Sequence, residues 1–214
     1  MPSRPKPPAP TVALFVRHGK TPTTGSVLPG RAKGLHLADE GTAQAAAVAE
    51  RLSGLAKIAA VYASPLERTR ETAAPIGKAL GLTVHAEKGL LECDFGDWTG
   101  AELKKLMKLP EWATVQRYPS GFRFPSGESF AEMQARITGT AMRLAAQHPG
   151  ESIVLVSHAD PIKAAVASAL GTHLDLFQRI NISPCSVTAI AYGATGPAVL
   201  TVNAVGSLTE LLPS

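Results

Sequence analysis

The sequence predicts an α/β fold: a mainly parallel central sheet with helices on both faces, finished by a terminal antiparallel hairpin. Three observations carry this. Apolar runs of strand length alternate with segments of helical period over most of the chain. Two of those runs, in "VALFVRHG" and "SIVLVSHA", end alike, in polar residues and a histidine. Near the C-terminus, two further apolar runs are separated only by glycine and proline turn chemistry. At 214 residues the chain suits one sizeable core and is short for two, so a single domain over 11–214 is expected.

The elements follow in order. "MPSRPKPPAP" holds five prolines with Arg4 and Lys6, which suits a disordered, extended arm over residues 1–10. Val12 to Val16 form the first strand, which stops at Arg17, His18 and Gly19. A helix is predicted from Asp39 to Leu55, with Ala45, Val48, Ala49, Leu52 and Leu55 on one face. Ala59 to Ala63 make a second strand. Ser64 as cap, Pro65 as first helical residue and Glu67 closing an S-x-x-E box then predict a helix to Leu80, stopped by Gly81 and kinked at Pro75.

A short strand is expected near Leu82 to Ala86. A second S-x-x-E box, Ser129 to Glu132, opens a helix that ends near Gly150. Ile153 to Val156 form a strand ending in Ser157 and His158, with Asp160 as cap and Pro161 as first helical residue. Val187 to Tyr192 and Val199 to Asn203 make the hairpin.

Composition narrows the function. The formal charge is +4, but the 21 Lys and Arg are scattered, which favours a small anionic ligand over nucleic acid. Cys93 and Cys185 form no CxxC pattern, so neither a disulfide framework nor a zinc site is suggested, and a reducing compartment fits. No apolar run approaches the ~18 residues of a membrane span. The first residues lack the apolar centre of a signal peptide, so a cytoplasmic protein is expected.

Ligands of open α/β sheets bind beyond the carboxyl ends of the strands. Three strand ends deliver Arg17 with His18, Arg68, and His158, and Gly19 is expected to let the backbone approach a ligand closely. Two guanidinium forks and two imidazoles suit a phosphoryl group, and one histidine can attack phosphorus as a neutral nucleophile. A leaving alkoxide also needs a proton. Glu92, between leucines and the aromatic Phe95 and Trp98, is the first candidate acid; Asp94 and Asp160 are rivals, Asp160 being assigned mainly to capping.

"RHGKT" (Arg17 to Thr21), "SPLERTRET" (Ser64 to Thr72), "LLECDFGDWTG" (Leu90 to Gly100), "PSGES" (Pro125 to Ser129) and "VSHADPIK" (Val156 to Lys163) resemble, in order, the motifs of the histidine phosphatase superfamily, also called phosphoglycerate mutase-like. The resemblance spans the chain after residue 10. It implies that His18 is the phospho-accepting nucleophile, that Arg17, Arg68 and His158 form the phosphate pocket, and that Glu92 is the acid and then the base. It implies no metal and no cofactor. Thr24, six residues after His18, stands where many members carry a phosphate-binding Asn. "SHADPIK" departs from the commoner SHG form and places Ala159 and Asp160 beside the pocket. Thr21, Thr24 and Ala159 are therefore substrate-binding candidates. "FGDWTG" and "PSGES" look like the phosphatase branch, so hydrolysis of a small phosphomonoester is expected, with mutase-type phosphotransfer as the alternative.

Six of the eleven aromatic residues lie between Phe95 and Phe124, in a stretch that also holds Arg117 and Arg123. Two readings stand: a lid-like insertion near 108–127 that grips substrate through Arg117 and Arg123, or a satellite core under a long loop. Two other function classes also stand, a metallophosphoesterase around His18 and His158, and a phosphate-binding protein without turnover. Monomer and homodimer are both compatible with the sequence.

Overall fold

Val12 to Val16 are buried on both sides because their strand, β1 (Thr11–Arg17), lies inside a six-stranded sheet. This computed structural model describes residues 9–207, so most of the proline-rich arm lies outside the described residues. In chain order the other elements are β2 (Val27–Leu28), α1 (Asp39–Ser53), β3 (Ile58–Ala63), α2 (Glu67–Leu80), β4 (Val84–Ala86), β5 (Ala101–Glu102) and α3 (Leu103–Leu106). Then come α4 (Trp112–Arg117), α5 (Phe130–Gln147), β6 (Ser152–Ser157), α6 (Ala159–Ala169), β7 (Val187–Gly193) and β8 (Gly196–Ala204).

The sheet order is β4-β3-β6-β1-β7-β8. The pairs β4–β3, β3–β6 and β6–β1 are parallel; β1–β7 and the hairpin β7–β8 are antiparallel. Alternation along each strand builds two cores. Leu14, Val16, Val154 and Val156 face Val48, Leu52 and Ile76 of α1 and α2, whereas Phe15, Ile153 and Leu155 face Ile137, Leu144 and Ile162 of α5 and α6. Helices thus cover both faces, and no helix among the described residues is long and apolar enough to cross a membrane.

The Ser129–Glu132 capping box forms with both arms present: Glu132 N–H donates to Ser129 Oγ at 3.1 Å, and Ser129 N–H to Glu132 Oε2 at 2.9 Å. The Ser64–Glu67 box does not. Helix α2 begins at Glu67 with Leu66 as an N-cap that makes no side-chain bond, and it runs on through Pro75. Ser64 Oγ instead points at His158. Nor does Asp160 cap α6: His158 holds that position, and Asp160 lies in the first turn, 3.1 Å from Lys163 Nζ.

The aromatic segment packs inward. Phe124 contacts Phe95, Phe122 and Phe130 at centroid distances of 4.8, 5.0 and 5.1 Å, and Phe130 reaches Phe177 at 5.1 Å. Trp98 stacks on Trp112. Of this segment, Tyr118 at 57% and Met107 at 60% are the large apolar side chains most open to solvent. The two-residue strands β2 and β5 pair antiparallel and join the loop after His18 to this segment.

Candidate active site

Four parallel strand ends, those of β1, β6, β3 and β4, are laced together by main-chain bonds: His18 N–H to Ser157 O at 3.0 Å, Ser64 N–H to Val156 O at 3.0 Å, and Glu87 N–H to Ala63 O at 2.8 Å. Arg17 with His18, and His158, therefore stand side by side, while Arg68 enters from the first turn of α2. The rings of His18 and His158 meet edge to face, 5.2 Å between centroids.

His18 is buried, and its Nδ1 lies 2.8 Å from the Gly19 carbonyl oxygen. A carbonyl can only accept, so the ring proton sits on Nδ1 and the lone pair on Nε2. Burial, then the Arg68 and Arg17 cations, push its pKa down to about 3 against the opposing Gly19 bond. The imidazole is neutral at ordinary pH.

Arg68 is completely buried yet uses only Nη2, which donates to Gly30 O at 2.7 Å; its Nε and Nη1 have no partner. Arg17 Nη1 donates to Ile182 O at 2.7 Å, and its buried Nε is also unpaired. His158 Nε2 lies 2.9 Å from Ser64 Oγ, and its Nδ1 is unpaired. Unpaired buried donors each carry a desolvation penalty of ~1–3 kcal/mol or more. Three guanidinium N–H positions and the His158 Nδ1, beside one neutral histidine, suit an oxyanion with several oxygens.

Of the three rival carboxylates, Glu92 is the buried one, with Oε2 4.0 Å from His158 Nδ1. Burial, reinforced by the charge of Asp160, raises its pKa to about 7 against Arg68, the Cys93 N–H and Arg17. Asp94 is spent on Arg31 and the Gly96 N–H, and Asp160 on Lys163.

Thr24 Oγ1 accepts from Thr21 N–H at 2.8 Å and lies 3.0 Å from Thr21 Oγ1, so both hydroxyls serve a turn. Ala159 opens α6 beside His158. Arg123 is engaged by Glu132 and Gly127 O at the start of α5, and Arg117 is exposed at the end of α4. The backbone at Gly19 packs closely against Gly41 of α1. A Cβ there would lie 2.5 Å from Gly41 O, and its N–H donates to Thr72 Oγ1 at 3.0 Å. Its bareness serves close packing against α1. Among the described residues, no group of three or more His, Cys, Asp or Glu side chains is arranged to hold a metal ion.

The sequence profile of the histidine phosphatase superfamily (branch 1) matches residues 13–205. The chain belongs to the histidine phosphatase superfamily. It is 31% identical over 207 residues to a bifunctional protein of Mycobacterium tuberculosis, covering 93% of this chain and 55% of that protein. The chain thus spans about half the length of the first curated relatives it matches. Over 190 residues it is 30% identical to phosphoserine phosphatase 1 of Hydrogenobacter thermophilus, covering 83% and 84% of the two chains. Among solved structures it resembles a mutant phosphoserine phosphatase from Entamoeba histolytica in complex with phosphoserine (TM-score 0.82, 25% identity, 95% of this chain and 100% of that one). It also resembles a mycobacterial glucosyl-3-phosphoglycerate phosphatase (TM-score 0.80, 25% identity, 90% and 98%).

Sequence reasoning missed four polar residues of this superfamily member. Ser64 was legible only as a cap. Arg31, Glu128 and Arg136, which surround the main chain at Glu92, carry no local signal beyond the place of Glu128 in "PSGES".

Proposed function

We propose that this chain is a phosphomonoesterase that works through a phosphohistidine on His18, without a metal, and hydrolyses a small phosphorylated metabolite. The observation that carries this is the Nδ1–H···O bond from His18 to Gly19, which leaves Nε2 as a neutral lone pair beside the unpaired N–H groups of Arg17 and Arg68 and the unpaired Nδ1 of His158.

Nε2 attacks phosphorus while those donors take the non-bridging oxygens, whose charge shifts toward them in the transfer state. Glu92, protonated, gives its proton to the departing alkoxide. As carboxylate it then takes a proton from the water that attacks the phosphohistidine, which returns phosphate and the free imidazole. A pKa near 7 suits both duties.

Relatives that act on phosphoserine and on glucosyl-3-phosphoglycerate support a small-molecule substrate. So does the placement of the key cations, which are sunk in a pocket and not arrayed as a surface track for nucleic acid. Two free, buried cysteines fit a cytoplasmic location.

Rapid quenching of the protein with a radiolabelled phosphomonoester tests the reading. The expected label is stable to base, lost in acid, and missing from His18→Ala. Equal labelling of that variant overturns it.

A further inference from the structure

After the short 3-10 turn Lys88–Leu90, the segment that carries Glu92 has no helix or strand until it passes Asp94. Buried main chain of this kind must find its partners among side chains. Ser157 Oγ donates to Leu90 O at 2.8 Å, and Arg136 Nη1 to Gly89 O and Leu91 O at 2.9 and 2.8 Å. Two guanidiniums then meet on the carbonyl of Glu92 itself: Arg31 Nε at 2.9 Å and Arg136 Nη2 at 3.3 Å.

Like charges converge on one carbonyl only where a counter-charge lies between them. Glu128 is the charge that touches both guanidiniums, whereas Asp94 Oδ2, 3.3 Å from Arg31 Nη1, touches only one. Glu128 Oε1 lies 2.8 Å from Arg136 Nε, and its Oε2 lies 2.8 Å from Arg136 Nη2 and 3.0 Å from Arg31 Nη2. Oε2 also accepts the Asp94 N–H at 3.2 Å, on the far side of Glu92. The carboxylate thus grips one guanidinium bidentately, the other singly, and the chain two residues past the acid. At 14% side-chain exposure it is sheltered from the screening that weakens surface pairs.

We propose that Glu128, by holding Arg31 and Arg136 together on the Glu92 carbonyl, is a positioning residue that aims the Glu92 carboxyl at the departing oxygen. The three parts come from three places: the loop after β2, the turn before α5, and α5 itself. Only the assembled network fixes the peptide units on both sides of the acid. The Cys93 N–H, 3.0 Å from Glu92 Oε1, then orients the carboxyl group toward His158. Loss of the central charge lets Arg31 withdraw and the acid drift, and a misplacement of ~1 Å costs on the order of 10²-fold.

This inference rests on Glu92 being the acid, and the test separates the two. Glu128→Gln, which keeps size and removes charge, is compared with Glu92→Gln on an alkyl phosphate and on p-nitrophenyl phosphate, whose phenolate departs unaided. For Glu128→Gln, kcat/KM on the alkyl phosphate should fall by ~10²-fold, while the nitrophenol burst rate falls by less than ~5-fold. A purely structural ion pair would lower Tm and slow both substrates alike, and that result overturns the proposal. If Glu128→Gln does not fold, Arg31→Met, at the outer side of the network, should show the same substrate ratio at ~10-fold; an unchanged ratio overturns the proposal equally. Leaving-group dependence in Glu92→Gln with none in Glu128→Gln removes the positioning role alone. Its absence from Glu92→Gln removes the acid assignment, and the positioning role with it.

Discussion

The Nε2 atom of His158 lies 2.9 Å from the hydroxyl of Ser64, while its Nδ1, on the pocket side, stands 4.0 Å from Oε2 of Glu92. Burial, with Arg68 and His18 beside it, holds the His158 pKa well below its ordinary value, so the ring carries one proton. A hydroxyl that donates to Nε2 would leave that proton on Nδ1, on the side of Glu92.

Ser64→Ala removes the group that selects this tautomer. It should lower kcat/KM by ~10-fold with little change in Tm, and ring ¹⁵N shifts of His158 should move toward a mixture of tautomers. Unaltered ring shifts would show that Ser64 does not set the proton.

Arg68 is the largest charge acting on His18 after burial itself. Removing it as Arg68→Gln should raise the His18 pKa, so protonation should silence the nucleophile at a higher pH than in the wild type. The acid limb of kcat/KM moves up, on top of a general loss of ~10²-fold or more from the missing cation. A limb that stays in place while the rate falls would separate Arg68 from the nucleophile.

Glu92 should leave a mark on stability as well. Its folded pKa of about 7 exceeds the unfolded carboxyl value near 4.5, so between these values the folded state binds the extra proton. Stability from this group is full below pH ~4.5 and is lost as pH rises through ~7. Glu92→Gln should therefore melt higher than the wild type at pH 8, and the advantage should shrink toward pH 5. Thermal scans at the two pH values decide this; a variant less stable at both would mean that the carboxylate is well accommodated.

The strand ends were legible because β1 and β6 break from apolar to polar at the places where an α/β sheet binds ligands. What escaped was whatever depends on a partner distant in sequence. Ser64 and Ser129 head the same S-x-x-E pattern, and only Ser129 uses it, because the Ser64 hydroxyl meets His158 once the sheet forms. The Gly19 backbone needs room for Gly41, which no local rule announces. Arg31 and Glu128 lie 97 positions apart, and their pairing follows from topology, not pattern. The aromatic segment was ambiguous for a related reason: periodicity cannot tell rings that cover a ligand from rings that cover one another, and Phe122 and Phe124 do the latter.

The register of β1 on β6, from Val12 opposite Ser152 to Arg17 opposite Ser157, also orders events in time. β1 leaves the ribosome well before either of its neighbours, β6 and β7. Until they emerge, this buried strand has no bed, and only the α1–α2 side can collapse around it. Closing so long a loop is slow, so helix content should return during refolding well before His18 and His158 face one another. Turnover is then a clock for the last step of assembly: a chain halted before β6 can gather most of its helices and hold no pocket at all.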